Sequence, residues 1–328
     1  MDTFQALVLD KVDDQTTLEV KQLTTADLPE GEVTIRVAYS SVNYKDGIVA
    51  IHNQLVESYP LVPGIDLAGT VIDSTDKQFK TGDEVIVTSY QLGTGHFGGF
   101  SEIARVPADW VVPLPKGLSL KEAMILGTAG LTAALSVEKL EMNGLEPQKG
   151  PVLVAGATGG VGSISVNILA MKGYDVVAST GKSNEADYLT GLGAKQVIQR
   201  NEVQDTDQLP IREEKWAAAI DPVGGKTLQY ILSTLQYGGS VATCGLTGGV
   251  EVSTTVVPFI SRSINWLGID SVQYPMDQRL KAWSRLGDDL KPTMLHEDMV
   301  REVSLAELPD VLANIVNGKV RGRTIVKL

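Results

Sequence analysis

The spacing of hydrophobic and polar positions changes near residue 120. Before about position 115, short apolar runs are separated by turn residues such as Pro63-Gly64 and Gly82-Asp83. These runs predict strands at Ala6–Leu9, Glu32–Ala38, Ala68–Val71 and Glu84–Val87. The first part of the chain is therefore predicted to be a mainly β domain.

From Leu120 onward, stretches with helical spacing alternate with short apolar runs. The runs predict six strands, at Val152–Ala155, Asp175–Ser179, Gln196–Ile198, Ala217–Asp221, Ser240–Thr243 and Ile264–Ile269. Because strands that alternate with helices form a parallel, doubly wound sheet, we predict an α/β fold class with a Rossmann domain. A last strand at Arg323–Val326 is expected to return to the first domain.

Chain length agrees with this division, since 328 residues at about 150 per domain correspond to about two domains. We predict a β-rich catalytic domain over residues 1–125 and 272–328, and a Rossmann domain over residues 126–271. Trp216 and Trp266 fall on apolar strands and are predicted to lie in the core.

Composition argues against several classes of partner. The chain has 28 Lys and Arg against 40 Asp and Glu, a net charge of -12 without a long block of one sign, which disfavours nucleic acids and acidic membranes. Cys244 is the one cysteine, and no basic neighbour in sequence would activate it. The N-terminus lacks a signal-peptide pattern, and no run of about 18 apolar residues occurs. We expect a soluble cytoplasmic protein that acts on a small-molecule substrate.

A glycine-rich loop follows the first predicted Rossmann strand. In Val152-Leu-Val-Ala-Gly-Ala-Thr-Gly-Gly-Val-Gly162, Gly159 and Gly162 occupy the second and third glycine positions of the pattern G-x-G-x-x-G, and Ala157 stands at the first. Such a loop lets the backbone approach a pyrophosphate, which then lies at a helix N-terminus. Since a strand precedes the loop and a helix follows it, the loop predicts dinucleotide binding.

The end of the second Rossmann strand indicates which dinucleotide binds. An acidic residue there would bind the ribose hydroxyls of NAD, but Ala178-Ser-Thr-Gly-Lys182 contains no carboxylate. Thr180 and Lys182 offer a hydroxyl and an ammonium group to a 2′-phosphate, and Arg200 ends the neighbouring strand. The sequence therefore favours NADP, as NADPH, over NAD.

Further motifs extend over the whole chain. They are Ser41-Val-Asn-Tyr-Lys-Asp46, Pro63-Gly-Ile-Asp66, Gly127-Thr-Ala-Gly-Leu-Thr132, Asp221, Tyr237-Gly-Gly and Gly322-Arg-Thr, together with the glycine-rich loop. In this combination the chain resembles the zinc-free quinone oxidoreductase group of the medium-chain dehydrogenase/reductase family, and more narrowly its acrylyl-CoA reductase branch. The resemblance implies that the β-rich domain is GroES-like, and that the protein is a homodimer joined along the sixth Rossmann strands.

The resemblance also bears on zinc. Related zinc alcohol dehydrogenases have Gly-His-Glu where this chain has Gly64-Ile-Asp66, and their N-terminal ligand cysteine falls at Asn43–Tyr44. A catalytic zinc needs three protein ligands, which His52 and His96 alone do not supply. We therefore expect no metal, and direct hydride transfer from NADPH to an electron-poor acceptor.

The same resemblance implies a set of cofactor contacts. Tyr44 would lie beside the nicotinamide, either as an anchor or as the proton donor to the substrate. The remaining contacts would be Thr158, Gly159, Gly160 and Val161 for the pyrophosphate, Thr180, Gly181, Lys182 and Arg200 for the 2′-phosphate end, and Leu246, Ile260, Ser271 and Asn317 for the nicotinamide half and the cleft. Leu246 and Ser271 follow the fifth and sixth strands, at the edge of the sheet where ligands bind.

Three functions remain open on the sequence. One is NADPH-dependent reduction of an activated double bond, as in acrylyl-CoA, and the second is NADPH-dependent reduction of a quinone. The third is a non-catalytic NADPH-binding regulator, because the loop and the fold by themselves imply only binding. An acidic chain that recognises the phosphates of CoA needs a local basic rim, for which Lys45, Arg262 and Arg279 are candidates.

Overall fold

The computed structural model describes residues 3–13, 15–295 and 299–328. Two compact units are distinguished. The first contains the described residues up to Thr128, together with Val272–Asp288 and Leu295–Leu328, and the second contains Ala129–Ser271 and Asp289–Met294. The segment Asp289–Met294 is held within the second unit, where the Met294 N–H donates to Asn167 Oδ1 at 3.3 Å. The chain thus leaves and re-enters each unit.

The N-terminal stretch of the first unit is rich in strands. Its elements are β1 (Thr3–Val12), β2 (Gln15–Thr24), β3 (Val33–Val42), α1 (Tyr44–His52), β4 (Asp66–Ser74), β5 (Glu84–Thr88), β6 (Ile103–Val106) and β7 (Val111–Pro113). Helix α2 (Leu120–Met142) begins in this unit and ends in the second, with a break in helical geometry at Gly127. By length and composition alone α2 could cross a membrane, but most of it is buried inside the protein, as core helices are.

The second unit is a doubly wound sheet. Its elements are β8 (Pro151–Val154), α3 (Gly160–Met171), β9 (Asp175–Thr180), α4 (Ala186–Gly191), β10 (Gln196–Gln199), β11 (Trp216–Asp221), α5 (Gly225–Thr234), β12 (Leu235–Thr243), α6 (Val257–Arg262) and β13 (Asn265–Gly268). All six strands are parallel, in the order β10-β9-β8-β11-β12-β13. The order reverses between β8 and β11, which is where such sheets bind ligands. The predicted α/β class with a six-stranded Rossmann sheet is confirmed.

The returning stretch completes the first unit. It contributes α7 (Met276–Leu286), β14 (Val300–Val303), α8 (Leu308–Val316) and β15 (Arg323–Lys327), and the sheet order becomes β14-β15-β3-β4-β5-β7, with β6 paired to β3. Antiparallel pairing places Thr324 of β15 opposite Val42, and Asp66 of β4 opposite Thr88. The ends of β3 and β5 and the starts of β4 and β15 therefore meet at one end of this sheet.

The two tryptophans predicted to lie in the core behave differently. Trp216 in β11 is 7% exposed, whereas Trp266 in β13 is 43% exposed, so the prediction for Trp266 is wrong. The reason is that β13 is the last strand of the sheet order, where a side chain lacks the cover of a strand on one side. The Trp266 Nε1–H still donates to Thr243 Oγ1 at 2.9 Å.

Candidate active site

The glycine-rich loop forms the turn between β8 and α3. Gly159 is the N-cap of α3, and Gly160 and Val161 open the helix. A Cβ on Gly162 would lie 2.5 Å from the Gly156 carbonyl oxygen, so this position admits no side chain. A Cβ on Gly159 would meet only that same oxygen, at 3.4 Å, which leaves the face of Gly159 open to a close approach. The N–H groups of a helix N-terminus beside an open glycine fit the pyrophosphate of a dinucleotide.

The ends of β9 and β10 bring together three of the four residues predicted to bind the 2′-phosphate. Thr180 is buried, and its Oγ1 lies 3.3 Å from Thr158 Oγ1 and accepts a hydrogen bond from the Lys182 N–H at 3.1 Å. A Cβ on Gly181 would lie 2.7 Å from the guanidinium carbon of Arg200, so Arg200 lies directly against the Gly181 backbone. Thr180, Gly181 and Arg200 therefore lie together at this strand end. The guanidinium group of Arg200 is close to residues 178–182, which contain no carboxylate.

Two glycine-rich loops lie at the ends of β11 and β12. They are residues 221–225 and 245–249, and they are joined by the Gly248 N–H, which donates to the Val223 carbonyl at 2.7 Å. A Cβ on Gly224 would lie 2.5 Å from the Gly249 oxygen, so the two backbones touch. The joined loops hold Leu246, whose side chain is 55% exposed.

The other residues predicted for the nicotinamide half are spread over the second unit. Ile260 lies on α6 and is 80% exposed, while the Ser271 Oγ accepts a hydrogen bond from Thr132 Oγ1 at 3.0 Å. Exposure of large apolar side chains such as Leu246 and Ile260 marks a surface that another group can cover.

Buried Asp221 and half-buried Cys244 are neighbours at this edge, and the Cys244 N–H donates to the Asp221 carbonyl at 2.9 Å. The Asp221 carboxylate accepts hydrogen bonds from the N–H groups of Val223 and Gly224 at 2.9 and 3.1 Å, and burial raises its pKa to about 6. Burial, together with the charge of Asp221, raises the pKa of Cys244 to about 12. The thiol is therefore protonated at neutral pH, which agrees with the inert role predicted from the sequence.

Tyr44 and Asn317 belong to the first unit. Tyr44 is the first residue of α1, and Asn317 directly follows α8, where its Nδ2 donates to the Ala313 carbonyl at 2.7 Å. The two helices pack through Gly47, since a Cβ there would lie 2.6 Å from Val316 Cγ1. Gly47 is one turn beyond Tyr44, and Val316 is the residue before Asn317. The close packing of these two helices therefore fixes the positions of Tyr44 and Asn317 relative to each other.

A buried hydrogen-bonded network lies next to Tyr44 and was not predicted as a functional feature. Its centre is Asp66, which is fully buried. The Asp66 carboxylate accepts hydrogen bonds from Ser41 Oγ at 2.7 Å, Asn43 Nδ2 at 2.8 Å, the Thr128 N–H at 2.9 Å and Thr128 Oγ1 at 2.5 Å. Both oxygens of this carboxylate are thus engaged by side chains and backbone.

Two further charges are buried beside Asp66. Asp46 accepts hydrogen bonds from the N–H groups of Asn43 at 2.7 Å and Ile65 at 2.8 Å, and burial together with the charge of Asp66 raises its pKa to about 7. Arg323 donates to the carbonyls of Ile125 at 2.8 Å and Val42 at 3.2 Å. Burial lowers the pKa of Arg323, while the charges of Asp66 and Asp46 oppose that shift.

The carboxylates of this network already have hydrogen-bond partners. The oxygens of Asp46 and Asp66 accept six hydrogen bonds between them. His96 lies elsewhere, with its ring nitrogens 3.1 Å from the Phe97 oxygen and 3.2 Å from the Glu30 oxygen. Within the described part of the chain, no group of three His, Cys, Asp or Glu side chains is arranged to hold a metal ion.

Two of the three residues predicted for a basic rim are instead structural. Arg279 is fully buried, donates to the Thr88 carbonyl at 3.1 Å, and lies 4.5 Å above the ring centre of Tyr90. Arg262 donates to the carbonyls of Ser233 and Leu235 at 3.1 and 3.3 Å. Both predictions are wrong because guanidinium groups that cap backbone carbonyls carry the same sequence signal as exposed ones.

A strained turn follows β5. Ser89 and Tyr90 both have positive φ values, of 67° and 51°, which are unusual for residues other than glycine. The turn is held by the Ser89 Oγ, which is 3.0 Å from Thr128 Oγ1, and by the Tyr90 N–H, which donates to the Val272 carbonyl at 3.3 Å. The Tyr90 ring also stacks on Trp110 at a centroid distance of 5.6 Å. Strain of this kind tends to occur at functional sites.

Two protein-family models match the chain. Residues 29–116 match the model of the alcohol dehydrogenase GroES-like domain, and residues 160–286 match that of the zinc-binding dehydrogenase. The GroES-like assignment predicted for the β-rich domain is therefore confirmed.

Individual relatives match over nearly the full length. The chain is 56% identical to the putative quinone oxidoreductase YhfP of Bacillus subtilis, covering 99% of each chain. It is 50% identical to the acrylyl-CoA reductase AcuI of Ruegeria pomeroyi, covering 98% of each chain. These relatives support the group that the sequence motifs indicated.

Two solved structures are similar over the whole fold. The oxidoreductase yhdH of Salmonella enterica, in complex with NADP, matches with a TM-score of 0.96 and 45% identity over 99% of each chain. The Bacillus subtilis protein yhfP with NAD bound matches with a TM-score of 0.97 and 55% identity over 100% of each chain. From its sequence, its fold and these relatives, the chain belongs to the medium-chain dehydrogenase/reductase family, among the oxidoreductases of the quinone oxidoreductase and acrylyl-CoA reductase type.

Proposed function

We propose that this protein is an NADPH-dependent oxidoreductase that reduces the activated carbon–carbon double bond of a substrate of the acrylyl-CoA type. The observation that carries the proposal is the similarity to an acrylyl-CoA reductase at 50% identity over 98% of each chain. NADPH supplies a hydride when it is bound, and the acceptor carbon must be electron-poor because the hydride adds as a nucleophile. A double bond conjugated to a thioester meets this condition.

The residues for the cofactor are those predicted from the sequence. Thr158, Gly159, Gly160 and Val161 would hold the pyrophosphate, and Thr180, Gly181, Lys182 and Arg200 would hold the 2′-phosphate. One relative at 55% identity binds NAD, so the preference for NADPH rests on this chain's own strand end. Arg200 against Gly181, without a carboxylate at 178–182, supports NADPH.

We propose that Leu246, Ile260 and Ser271 are the contacts of the second unit with the nicotinamide half, and that Tyr44 and Asn317 are those of the first unit. The phenol of Tyr44 has an O–H group, which is a hydrogen-bond donor and a possible source of a proton for the substrate. In this role Tyr44 gives its proton to the carbon next to the one that receives the hydride, and solvent restores the proton afterwards.

Reduction of a quinone is the second candidate. It is supported by the similarity to the putative quinone oxidoreductase YhfP, at 56% identity. A quinone is also an electron-poor acceptor of hydride, but it carries no CoA moiety. The two candidates therefore differ in whether the surface of the protein recognises phosphates, and with Arg262 and Arg279 buried or engaged, Lys45 is the remaining candidate of the predicted rim.

The reaction proceeds without zinc in this proposal. Support comes from the network at Asp66, whose carboxylate oxygens are occupied by four donors. A chelator such as EDTA is expected to leave turnover unchanged. Metal analysis of the purified protein should find well under one zinc ion per chain. Loss of turnover that added zinc restores would contradict this part of the proposal.

We further propose a soluble cytoplasmic homodimer joined along β13. Support comes from the exposure of Trp266 on this terminal strand, since unpaired strand edges in proteins are usually covered. Sedimentation of the purified protein at micromolar concentration should give a dimer, and a monomer would contradict the assignment.

The function itself is tested by turnover. Loss of NADPH absorbance is measured with acrylyl-CoA, with crotonyl-CoA and with a small benzoquinone, each over a range of concentrations. We expect the highest kcat/KM with acrylyl-CoA. A higher kcat/KM with the quinone would favour the second candidate, and the absence of turnover with all three would favour a binding protein without catalysis.

A further inference from the structure

Asp66 joins chain segments that are far apart in sequence. Its four hydrogen bonds come from Ser41 at the end of β3, from Asn43 at the start of α1, and from Thr128 beside the break in α2. Thr128 in turn contacts Ser89 of the strained turn, at 3.0 Å. One carboxylate therefore joins two chain segments directly, 41–43 and Thr128, and a third, the turn at Ser89, through Thr128.

The network is expensive to bury. Asp46 and Asp66 are 0% exposed and Arg323 is 3% exposed, so two carboxylates and one guanidinium are removed from water together. Such groups are often replaceable by apolar residues without loss of stability, whereas the loss of one partner alone is strongly unfavourable. Stability by itself therefore does not explain why these three charges are buried. A requirement to hold the surrounding chain segments in a fixed geometry explains it.

Asn43 links this network to Tyr44. Its side chain donates to Asp66 at 2.8 Å and accepts from Arg323 at 3.3 Å, while its backbone N–H donates to Asp46 at 2.7 Å. Asn43 is the N-cap of α1, and Tyr44 is the next residue. The backbone that carries Tyr44 is thus held by all three buried charges.

Space around the network is closed. A Cβ on Gly127 would lie 2.5 Å from Asp66 Oδ2, 2.5 Å from Ser41 Oγ and 3.1 Å from an Arg323 nitrogen. The Asp66 carboxylate therefore has no room to move towards α2, and its position is determined by its donors. In many proteins a metal ion joins separate chain segments through its ligands. Here the hydrogen bonds to the Asp66 carboxylate join them.

We propose that Asp66 is a positioning residue, which fixes the orientation of Tyr44 by holding the turn 41–46, Thr128 and the turn at Ser89 to one carboxylate. This inference rests on the proposed function, since it concerns Tyr44 as a residue beside the nicotinamide. Asp66 itself touches neither substrate nor cofactor in this proposal.

The test is the substitution Asp66→Asn. Asparagine keeps one carbonyl oxygen, but its amide nitrogen is a donor. If the nitrogen replaces Oδ1, the hydrogen bond from Thr128 Oγ1 loses its acceptor; if it replaces Oδ2, the other three hydrogen bonds do. Hydrogen exchange measured by mass spectrometry should become faster in peptides that cover residues 41–47, and remain unchanged in peptides that cover the loop 152–162 of the second unit. The matched control is Asp73→Asn, at an exposed position on the same strand β4, which should leave both peptides unchanged.

Turnover provides a second measurement. A displaced Tyr44 is expected to lower kcat by about 10- to 100-fold in Asp66→Asn, with the NADPH Kd changed less than about threefold. If Asp66 acts through Tyr44, the effect of Tyr44→Phe on kcat should largely disappear in the Asp66→Asn background, because coupled residues are not additive. A purely structural role would leave the two effects additive.

The outcomes separate this inference from the proposed function. If Tyr44→Phe has no effect on kcat in the wild-type background, the acid role of Tyr44 falls, while hydrogen exchange still decides the role of Asp66. Unchanged exchange over 41–47 in Asp66→Asn would overturn the inference. Where Tyr44→Phe alone lowers kcat, full additivity of the two substitutions would overturn it as well. If Asp66→Asn does not fold, Thr128→Val removes one donor only and should accelerate exchange over 41–47 to a smaller extent.

Discussion

The contact between Gly181 and Arg200 predicts how cofactor preference can be changed by one methyl group. The backbone of Gly181 does not have a positive φ, so alanine is conformationally acceptable there. Its Cβ, however, would lie 2.7 Å from Cζ and Nη2 of Arg200, whereas unstrained carbon contacts are about 3.5 Å or longer. In Gly181→Ala the guanidinium group must therefore move by about 1 Å, away from the position that it has beside Gly181.

The size of the effect follows from the interaction that is lost. A hydrogen bond between charged groups contributes about 1.5–3 kcal/mol, so the Kd for NADPH should rise by about 10- to 150-fold. The Kd for NADH should stay nearly constant, because NADH has no 2′-phosphate for Arg200 to bind. The preference for NADPH should therefore fall by the same factor as its affinity.

The measurement is a titration of each protein with NADPH and with NADH, followed by cofactor fluorescence or calorimetry. Gly191→Ala is the matched control, since a Cβ at Gly191 has no neighbour within 4 Å, and it should bind both cofactors as the wild type does. An unchanged ratio of the two dissociation constants in Gly181→Ala, or an equal loss of affinity for both, would refute the role assigned to Arg200.

Three further predictions concern single residues. The pKa of Asp46 is raised from 3.8 to about 7 in the folded protein, so its contribution to stability is present at low pH and is lost as the pH rises through 7; thermal unfolding of Asp46→Asn should show a weaker decline between pH 5 and pH 8, and an unchanged decline would contradict this. Tyr44→Phe should lower kcat by about 10²- to 10⁴-fold with little change in the NADPH Kd, and near-normal kcat across a pH profile would remove Tyr44 from the chemistry. Cys244 should react with iodoacetamide only after denaturation, and rapid labelling of the native protein would contradict the raised pKa of its thiol.

Local sequence patterns were sufficient to predict the Rossmann sheet. Each of its strands is a short apolar run between helical stretches, so periodicity finds β8 and β11 without knowledge of the fold. Periodicity does not distinguish a central strand from a terminal one, which is why Trp266 was wrongly placed in the core. The hairpin of β1 and β2 was predicted only in part, because β2 is largely exposed and its polar residues lack the alternation of a half-buried strand.

The candidate site was predictable to the extent that it depends on glycine. Gly159 and Gly162 mark a backbone geometry, and the structure places that geometry where the motif predicts it. The network of Asp46, Asp66 and Arg323 was not found, because its members are far apart in sequence and charged residues usually lie at the surface. A signal was available in the position of Asp66, a carboxylate that opens the otherwise apolar stretch of β4.

The buried network also affects the order in which the protein can be made. Asp46 and Asp66 are synthesised early, whereas Arg323 is added only after the entire second unit has been synthesised. Until then the two carboxylates have no buried guanidinium to compensate them, and β3 has no β15 to pair with. The second unit can therefore fold while the first unit is still incomplete. The buried network of the first unit forms only after β15 has been synthesised.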